Sequence, residues 1–426
     1  MTWPSHWDST QLGNEELFST ENGIWQGKRL PLVACKVLRN TNFADDGTLD
    51  FTNVARIEIE KRLLDKKRLI RGDIIIERSG GGPQQPVGRV AYFDQNDGEF
   101  CFSNFTTRLR VVSGHRADSR FIHKFLLYLH MSGQTEPLQR RTTGIRNLAF
   151  GDYLKLTIPL PPVVEQRSIV RVLDAVHRAK HARQRELVLE GERKAALMEF
   201  LFTQGTCGDP TKQTEIGEIP QSWRVVPLDE IAELVSGGTP SRQSVDWWKG
   251  RIPWASPKDM KKLRLWDTEE HVSNAGLEAG SRLVPAQTIF IVIRGMVLAK
   301  DVPIAITEVP MAFNQDMKAV LPGEEVMPEF LLYALIWRKD GLTKYIGTSA
   351  HGTRRISTEA VGSLALPIPP LSEQAKIAEL LRACDNRIDA IEREIPLHQE
   401  LFQTMLEEMM TGRLSAVPLI EEHQAQ

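Results

Sequence analysis

The sequence predicts two mixed α/β (α+β) modules that alternate with two long helices, which pair as an antiparallel coiled coil in a pseudo-two-fold internal repeat. Three observations predict this fold. A proline-rich segment that starts at 158 returns at 366, so 208 positions separate the two copies. Each copy precedes a long helical pattern, and each follows a segment with mixed strand and helix signals. Dissimilar modules between repeated segments indicate two variable parts on two equivalent supports.

The repeat also sets the expected domain boundaries. Residues align without a gap on both sides of the prolines, as in the pairs Gly144 and Gly352, Arg146 and Arg354, Leu156 and Leu364, Ile169 and Ile377, Leu173 and Leu381, and Thr203 and Thr411. We therefore expect a first module at 1–157, a proline-rich opening and spacer helix at 158–207, a second module at 208–365, a second opening and spacer helix at 366–415, and a flexible tail at 416–426.

The first module has the signals of a mixed α/β fold. Branched and aromatic residues predict strands at 73–76 and 89–93, and the glycine-rich stretch 79–83 between them predicts a flexible turn. Apolar residues on one helical face predict a helix over 120–130.

The second module repeats this plan. A strand is predicted at 288–293 and a matching helix at 329–337, and 236–240 is a second glycine-rich turn. Each module then ends in a Gly-x-Arg loop, a short strand and the proline run.

The second spacer helix carries a coiled-coil seam. Proline is tolerated in a first helical turn, where Ser372 here, or Glu165 in the first helix, could accept hydrogen bonds from exposed amides. Seam positions then recur in steps of four and three, at Ile377, Leu381, Cys384, Ile388, Ile391, Ile395, His398, Phe402, Met405 and Met409, all of them apolar except His398. Pro396 lies inside this seam, and we expect it to kink or locally break the helix.

The first spacer helix follows the same register less closely. Its apolar positions are Ile169, Leu173, Val176, Leu187, Leu197 and Leu201. Four polar residues interrupt the seam, namely Lys180, Arg183, Glu190 and Lys194. Either these long side chains lie along the seam or the contact moves toward Ala179 and Ala182.

Composition limits the possible classes of protein. The 426 residues are 41% hydrophobic and 25% charged, as in soluble globular proteins, and no apolar run reaches membrane-spanning length. The first residues do not resemble a signal peptide, and four widely spaced cysteines predict neither a zinc site nor disulfides. A reducing cytoplasm is therefore expected.

The formal net charge of −2 conceals a segregation of charge. Basic residues concentrate in the first module, at 61–71, 108–120 and 140–146, whereas acidic residues gather at 392–408. A basic patch binds phosphate even when the whole chain is near neutral, although a mixed solvated surface explains any one cluster equally well.

Known catalytic motifs are absent from the sequence. It has no Gly-x-x-x-x-Gly-Lys-Ser/Thr phosphate loop, no His-Glu-x-x-His metal pair and no Asn/Asp-Pro-Pro-aromatic run of the kind that amino-methyltransferases use. We therefore predict no catalytic residue and no metal site, and we expect a protein without catalysis of its own.

The repeated motif resembles one family. Leu160-Pro161-Pro162-x-x-Glu165-Gln166 and its copy Ile368-Pro369-Pro370-x-x-Glu373-Gln374, each before a matched helix, are similar to the specificity subunits of type I restriction–modification systems. The stretches 223–241 and 246–254 also resemble the segment that leads into a target recognition domain of that family. No such leading segment is evident near the N-terminus.

The resemblance implies that each module is a target recognition domain that reads one half of a split site on double-stranded DNA. The paired helices would then set the unread gap. They would also dock two methyltransferase subunits and, through them, the restriction/translocase subunits. This chain would need no cofactor, whereas its partners would use S-adenosylmethionine, ATP and Mg²⁺ in a bacterial or archaeal cytoplasm.

Arginine, lysine and glutamine are the residue types that read base edges or contact phosphate. The candidates are Arg78, Gln84, Gln85, Arg89, Arg140, Arg141 and Arg146 in the first module, and Arg242, Lys249, Arg294, Lys300, Arg354 and Arg355 in the second. For Trp247, Trp248 and Trp254 we favour core packing over contact with DNA sugars. Two alternatives stay open, an enzyme with an unrecognised nuclease or methyltransferase site and a coiled-coil scaffold whose modules bind protein.

Overall fold

A computed structural model describes residues 3–24, 30–81, 86–96, 98–142, 145–348 and 352–418, with only the backbone described at 141 and 142. Two compact units result, one built from Met1–Arg183 with Glu394–Gln426 and the other from Gln184–Arg393. Each unit contains one module together with parts of both long helices. Within the described ranges, none of the helices combines the length and apolar character needed to cross a bilayer.

In the part of the chain that the structure describes, the first unit contains twelve strands and, before the first long helix, three α-helices. The strands are β1 Asp8–Gln11, β2 Phe18–Asn22, β3 Leu32–Leu38, β4 Ala55–Glu60, β5 Ile74–Glu77, β6 Ser79–Gly81, β7 Val90–Tyr92, β8 Phe100–Phe102, β9 Thr106–Val111, β10 Gln139–Thr142, β11 Ile145–Leu148 and β12 Thr157–Leu160. The helices are α1 Lys61–Lys67, α2 Ser119–Met131, α3 Phe150–Tyr153 and the long α4 Val163–Gln204.

An antiparallel sheet in the order β2-β9-β5-β7 forms the centre of the first module. Its strand β5 is buried on both faces. Ile74 and Ile76 belong to the core that includes α2, while Ile75 belongs to the core beneath a second sheet, β4-β3-β8. Helix α2 begins where the side chain of Asp118 accepts hydrogen bonds from two exposed amides.

The second unit contains the remaining strands and helices. The strands are β13 Thr211–Thr214, β14 Gly217–Pro220, β15 Arg224–Pro227, β16 Ala232–Ser236, β17 Ile252–Ala255, β18 Arg264–Leu265, β19 Glu270–Val272, β20 Leu283–Val284, β21 Ile289–Val292, β22 Ile304–Thr307, β23 Met311–Phe313, β24 Met317–Pro322, β25 Gly347–Thr348, β26 Arg354–Arg355 and β27 Ala365–Ile368. The helices are α5 Leu228–Ile231, α6 Asn274–Gly280, α7 Pro328–Arg338, α8 Asp340–Thr343, α9 Thr358–Gly362 and the long α10 Leu371–Met410.

The second module repeats the topology of the first. Its central sheet has the order β16-β24-β21-β22-β18, which matches β2-β9-β5-β7 with one strand added. A smaller sheet, β19-β17-β23-β20, matches β4-β3-β8, and the pair β15-β27 matches β1-β12. The predicted strands correspond to β5, β7 and β21, and the predicted helices correspond to α2 and α7, so these predictions are confirmed.

The first glycine-rich stretch is not a turn over the residues described, so the prediction was wrong there, whereas for 237–240 it stays a prediction. Residues 79–81 form strand β6, in which Gly80 has a φ of +109°. In the second module, a Cβ on Gly237 would lie 2.4 Å from backbone oxygens of 313 and 314, and one on Gly238 would lie 2.1 Å from the carbonyl oxygen of Gly280. Glycine is required there because two backbone segments are packed together.

The long helices α4 and α10 pair as an antiparallel coiled coil, and each unit contains its own part of the pairing. In the first unit Arg183 Nε donates to Glu394 Oε2 at 2.7 Å. In the second unit Lys194 pairs with Asp385, and Glu186 with Arg387. Residue numbers rise along one helix as they fall along the other, which defines the antiparallel direction.

The predicted seam faces inward in both units. Buried seam residues are Ile169, Leu173, Leu201, Ile377, Leu381, Cys384, Ile391, Phe402 and Met409, and half-buried ones are Val176, Leu187, Leu197, Ile388, Ile395 and Met405. Arg183 and Lys194 interrupt the apolar seam by forming ion pairs with the partner helix. The contact does not move toward Ala182, which is exposed.

Pro396 does not break α10, so the expected break was wrong, and the alternative expectation of a kink stays a prediction. The helix is continuous from Leu371 to Met410, and Pro396 lies on its exposed face. Proline removes one amide donor, which leaves the carbonyl of Glu392 without its helical partner. Glu392 is itself exposed, so water can satisfy that carbonyl and the helix continues.

Candidate nucleic-acid interface

The glutamine of the first proline motif fixes the start of α4 to the module. Gln166 is fully buried, and its Nε2 donates to the carbonyl oxygens of Pro161 at 2.7 Å and Arg116 at 3.0 Å. Its Oε1 accepts a hydrogen bond from the backbone amide of Asp118, the residue that caps α2, at 2.7 Å. One side chain therefore joins the beginnings of two helices.

Gln374 makes the same contacts in the second module. Its Nε2 donates to the carbonyl oxygens of Pro369 and Glu325, both at 3.0 Å. Its Oε1 accepts from the amide of Met327, which precedes α7, at 2.8 Å. Every partner of both glutamines is a main-chain group. We call this arrangement the glutamine clamp.

The glutamates beside the clamp bind the segment that leads into each module. Glu165 Oε2 is 3.1 Å from Nε2 of His6, so this side chain contacts the module rather than its own helix amides. Glu373 accepts hydrogen bonds from Nε1 of Trp223 at 2.9 Å and from the amide of Thr206 at 2.9 Å. The glutamates therefore fix the position of the leading segments.

The leading segment of the first module does exist, although the sequence analysis did not find it. The amide of Trp7 donates to the carbonyl of Pro4 at 3.0 Å, and the amide of Trp223 donates to that of Pro220 at 3.0 Å. The two segments share little beyond Pro-x-x-Trp and a leucine five residues after the tryptophan. That spacing is the sequence feature by which the leading segment of the first module could have been predicted.

A three-stranded sheet brings together two separate candidate stretches of the first module. In the order β10-β11-β6, Arg146 pairs with Gly81 and Asn147 with Ser79. The first residues of the glycine-rich stretch 79–83 therefore lie beside strand β11, in the region of the Gly-x-Arg loop. We call residues 78–81 with β10 and β11 the first basic surface.

On this surface the predicted arginines differ in exposure. Arg140 is exposed and lies 3.7 Å from Asp152, whereas Arg146 is half-buried and donates to Oε1 of Gln139 at 3.4 Å. Gln84 and Gln85 lie outside the described residues, as does the side chain of Arg141.

Arg78 and Arg89 are engaged within the module. Arg78 donates to Oδ1 of Asn22 at 2.6 Å, its guanidinium lies over the ring of Phe150, and burial lowers its pKa. Arg89 forms a bidentate ion pair with Glu77, with both N–O distances at 3.0 Å, and this pairing raises its pKa. The arrangement favours a structural role for both.

The second module has a matching surface. Arg294 and Arg355 form a backbone bridge, and the amide of Gly295 donates to the carbonyl of Arg354 at 3.0 Å. Arg355 and Lys300 are exposed. We call residues 293–300 with β25, β26 and Ile356 the second basic surface.

The two surfaces correspond at one backbone pairing, although their hairpins differ in register, since Asn147 pairs with Arg140 and Arg355 with Gly347. Asn147 aligns with Arg355 in the 208-residue repeat, and these residues pair with Ser79 and Arg294, which follow the buried strands β5 and β21. Asn147 was not among the sequence candidates. Its alignment with Arg355 is what indicates it.

Arg242 and Lys249 belong to a separate cluster in the second module. Arg242 lies 3.6 Å from the ring centroid of Trp248 and forms an ion pair with Glu270, which raises the arginine pKa. Lys249 pairs with Asp246 at 2.9 Å. Trp254 is buried and lies edge-on to Trp248, which confirms core packing for Trp254.

The geometry thus defines a protein with two modules of one fold. Each module has a basic surface, and a glutamine clamp attaches each module to one of the two paired helices. The chain belongs to the type I restriction modification DNA specificity domain family, whose model matches residues 30–190 and 220–398.

Two relatives illustrate the match. The chain is 30% identical over 260 residues to the specificity subunit of the type I restriction enzyme EcoR124I/EcoR124II from Escherichia coli, which covers 59% of this chain and 61% of that subunit. It is 22% identical over 415 residues to the putative MjaX specificity subunit of Methanocaldococcus jannaschii, which covers 96% of this chain and 94% of the relative.

Two solved structures share the fold. The S subunit of a type I restriction-modification system from M. genitalium has a TM-score of 0.58 at 16% identity, and the match covers 96% of this chain and 98% of that one. A chain from a study of complex assembly and conformational transition in a type I R-M system has a TM-score of 0.56 at 18% identity, with 97% and 100% covered.

Proposed function

We propose that this chain is the DNA-recognition subunit of a type I restriction–modification complex and that each module reads one half of a split site. The observation that carries the proposal is the correspondence of the two basic surfaces, built from equivalent segments of two modules. Two recognition surfaces on one chain suit a site with two separate halves. Family membership supports the same function.

Base reading would centre on the strands that follow the Gly-x-Arg loops. Arg355 is suited to guanine, and Asn147 to adenine, because these side chains make bidentate contacts with the major-groove edges of those bases. Exposed Arg140 and Lys300 would contact phosphate and set the register of each module. Different residues at aligned positions would give the two halves different sequences.

The paired helices would set the number of unread base pairs between the halves. Inserting one heptad beside Glu186 and another beside Arg387 would keep the seam in register and lengthen each helix by about 10 Å. At about 34 Å per 10 base pairs, the unread gap would grow by about three base pairs. An unchanged gap would refute the ruler role.

The helices would also dock two methyltransferase subunits and, through them, restriction/translocase subunits. Two copies of the glutamine clamp give α4 and α10 equivalent beginnings, which suits two copies of one partner. Chemistry would then belong to those partners with S-adenosylmethionine, ATP and Mg²⁺, and this chain would be non-catalytic. A bacterial or archaeal cytoplasm suits that assignment.

The test is a methylome comparison of the native host with and without this gene, using single-molecule sequencing. We expect a split adenine-methylated motif that disappears on deletion and returns on complementation. Complementation with Arg355→Ala should alter only one half of the motif. A methylome that is identical with and without the gene would overturn the proposal.

A further inference from the structure

Two histidines and one carboxylate converge in the first unit. Oδ2 of Asp46 lies 3.1 Å from Nε2 of His181 and 3.3 Å from Nε2 of His177. The two Nε2 atoms are 2.5 Å apart. Three atoms that each carry a lone pair when deprotonated therefore surround one point.

The local fold positions each of these groups. His177 and His181 are four residues apart on α4, so they lie on the same helical face. Asp46 lies in a tight turn, in which the amide of Gly47 donates to the carbonyl of Ala44 and Gly47 has a φ of +80°.

The other oxygen of the carboxylate is held independently. Oδ1 of Asp46 accepts hydrogen bonds from the amide of Thr48 at 3.1 Å and from its hydroxyl at 2.6 Å. This outer contact orients the carboxylate, so that Oδ2 points at the histidines. Second contacts of this kind commonly fix metal-binding carboxylates.

The cluster is enclosed on one side and open on the other. The ring of Phe402 on α10 packs edge-on against His177, with centroids 5.5 Å apart. The side chains of Asp46 and His177 are 13% and 12% exposed, whereas that of His181 is 36% exposed. Water can therefore reach the cluster from the side of His181 as a further ligand.

We propose that Asp46, His177 and His181 form a binding site for one divalent transition-metal ion of the zinc class. Imidazole nitrogens and a carboxylate oxygen are a preferred donor set for such ions. At metal–ligand distances of about 2.1 Å, tetrahedral ligands lie about 3.4 Å apart, close to the two nitrogen–oxygen distances here. The two histidine nitrogens, 2.5 Å apart, would have to separate by about 0.9 Å to admit the ion.

Lys180 is the group that competes with the ion. Its Nζ lies 3.9 Å from Oδ2 of Asp46, and it would have to withdraw when a cation binds. Its four-carbon side chain is flexible enough to do so.

The site would be structural rather than hydrolytic. The metal-binding pair reads His177-Arg178-Ala179-Lys180-His181, so arginine occupies the position at which His-Glu-x-x-His enzymes carry their general base. The ion would link the turn at 44–48 of the module to the spacer helix. The sequence search missed it because the third ligand is distant in sequence and the glutamate is absent.

The aligned helix positions of the second unit are different. They carry Asp385 and Asp389, and Asp385 accepts a hydrogen bond from the hydroxyl of Tyr333 at 2.6 Å and pairs with Lys194. There the hydrogen bond of Tyr333 joins the module to α10, and the ion pair of Lys194 joins α10 to α4. The metal would supply the corresponding link in the first unit, and this inference does not depend on DNA reading.

The test uses the tag-free full chain, stripped with a chelator and titrated with ZnCl₂ by calorimetry and with Co²⁺ by visible absorption. Cys207 is exposed and is replaced by serine in all samples, so that its thiol does not bind the ion. We expect one ion per chain, with histidine-ligated Co²⁺ bands. His181→Gln and Asp46→Asn should each weaken affinity at least tenfold.

The matched control is His271→Gln, which alters a half-buried histidine that pairs with Asp267 four residues away and that has no third ligand among the residues that the structure describes. This variant should bind zinc like the parent. Circular dichroism of the stripped variants checks that each is folded. Failure to bind zinc, or equal affinity in the Asp46→Asn and parent proteins, would overturn the proposal.

Discussion

The two modules share their attachment to the helices and differ in the surfaces that they present. Gln166 and Gln374 have the same pattern of main-chain partners. By contrast, the aligned residues Asn147 and Arg355 differ in chemistry although their backbones pair in the same way. The comparison teaches that the attachment is set by backbone geometry, whereas the outward side chains are free to vary.

The modules also differ in a buried titratable group. The first carries His123 inside α2, where this residue is 3% exposed. The equivalent fifth residue of α7 is Leu332, which is fully buried and apolar. The first module should therefore be the more sensitive of the two to pH.

The largest effect should come from removing a glutamine clamp. In Gln166→Leu or Gln374→Leu, three main-chain groups lose their partner, at a cost of about 1 kcal/mol each, so about 3 kcal/mol of unfolding free energy in total. Urea denaturation measures the loss, and exposed Gln403→Leu on α10 is the control. Markedly unequal losses of unfolding free energy in the two variants would show that the two clamps are not equivalent.

Substitution on a basic surface should change DNA binding by a smaller amount. Arg355→Ala and Asn147→Ala should each cost about 1–3 kcal/mol of binding free energy, and each should relax specificity at a different half-site. Fluorescence anisotropy with half-site variants, in the presence of the methyltransferase subunit, measures both. Arg382→Ala, at an exposed position on α10, should leave half-site preference unchanged. Relaxation at the same half-site in both variants would contradict the assignment of one half to each module.

Acid should destabilise the first module through His123. Burial, followed by the charge of Lys124, lowers the pKa of His123 to about 3 from an ordinary value of 6.5. Between these values the unfolded chain binds a proton that the folded chain does not, so stability falls as pH falls below about 6.5, by about 1.4 kcal/mol per pH unit.

His123→Leu copies the second module and should flatten this acid limb. Urea midpoints at pH 7, 6 and 5 measure the slope, and exposed His115→Leu is the control. A slope that stays the same in His123→Leu would show that other groups govern the acid response.

The smallest effect should follow from an exposed ion pair between the helices. Glu186→Gln removes the partner of Arg387, whose side chain is 48% exposed. Solvent screens such pairs, so we expect a loss below about 1 kcal/mol. The thermal midpoint measures it, and a loss as large as that of Gln374→Leu would contradict the backbone origin of the attachment.

Sequence patterns predicted the elements that obey local rules. The apolar runs gave β5 and β21, the apolar faces gave α2 and α7, and the steps of four and three gave the inward side of α10. These features depend on periodicity within a few turns or one strand.

Contacts between distant residues were less predictable. The ion pair of Arg89 with Glu77, the close packing at Gly237 and the meeting of Asp46 with His177 arise only when separate segments pack together. Pro396 misled for a different reason, since the pattern did not reveal that its face of α10 is exposed to water.

The glutamine clamp has a consequence for the exchange of modules between related genes. Within the module, each glutamine contacts only main-chain carbonyl and amide groups, in the segment that precedes α2 or α7. The contact therefore does not depend on which side chains the module carries. A foreign module with the same backbone at these positions can be joined between the same flanking segments by recombination. On the proposed function, exchange of a whole module would change the half-site that is read and would leave both helices unaltered.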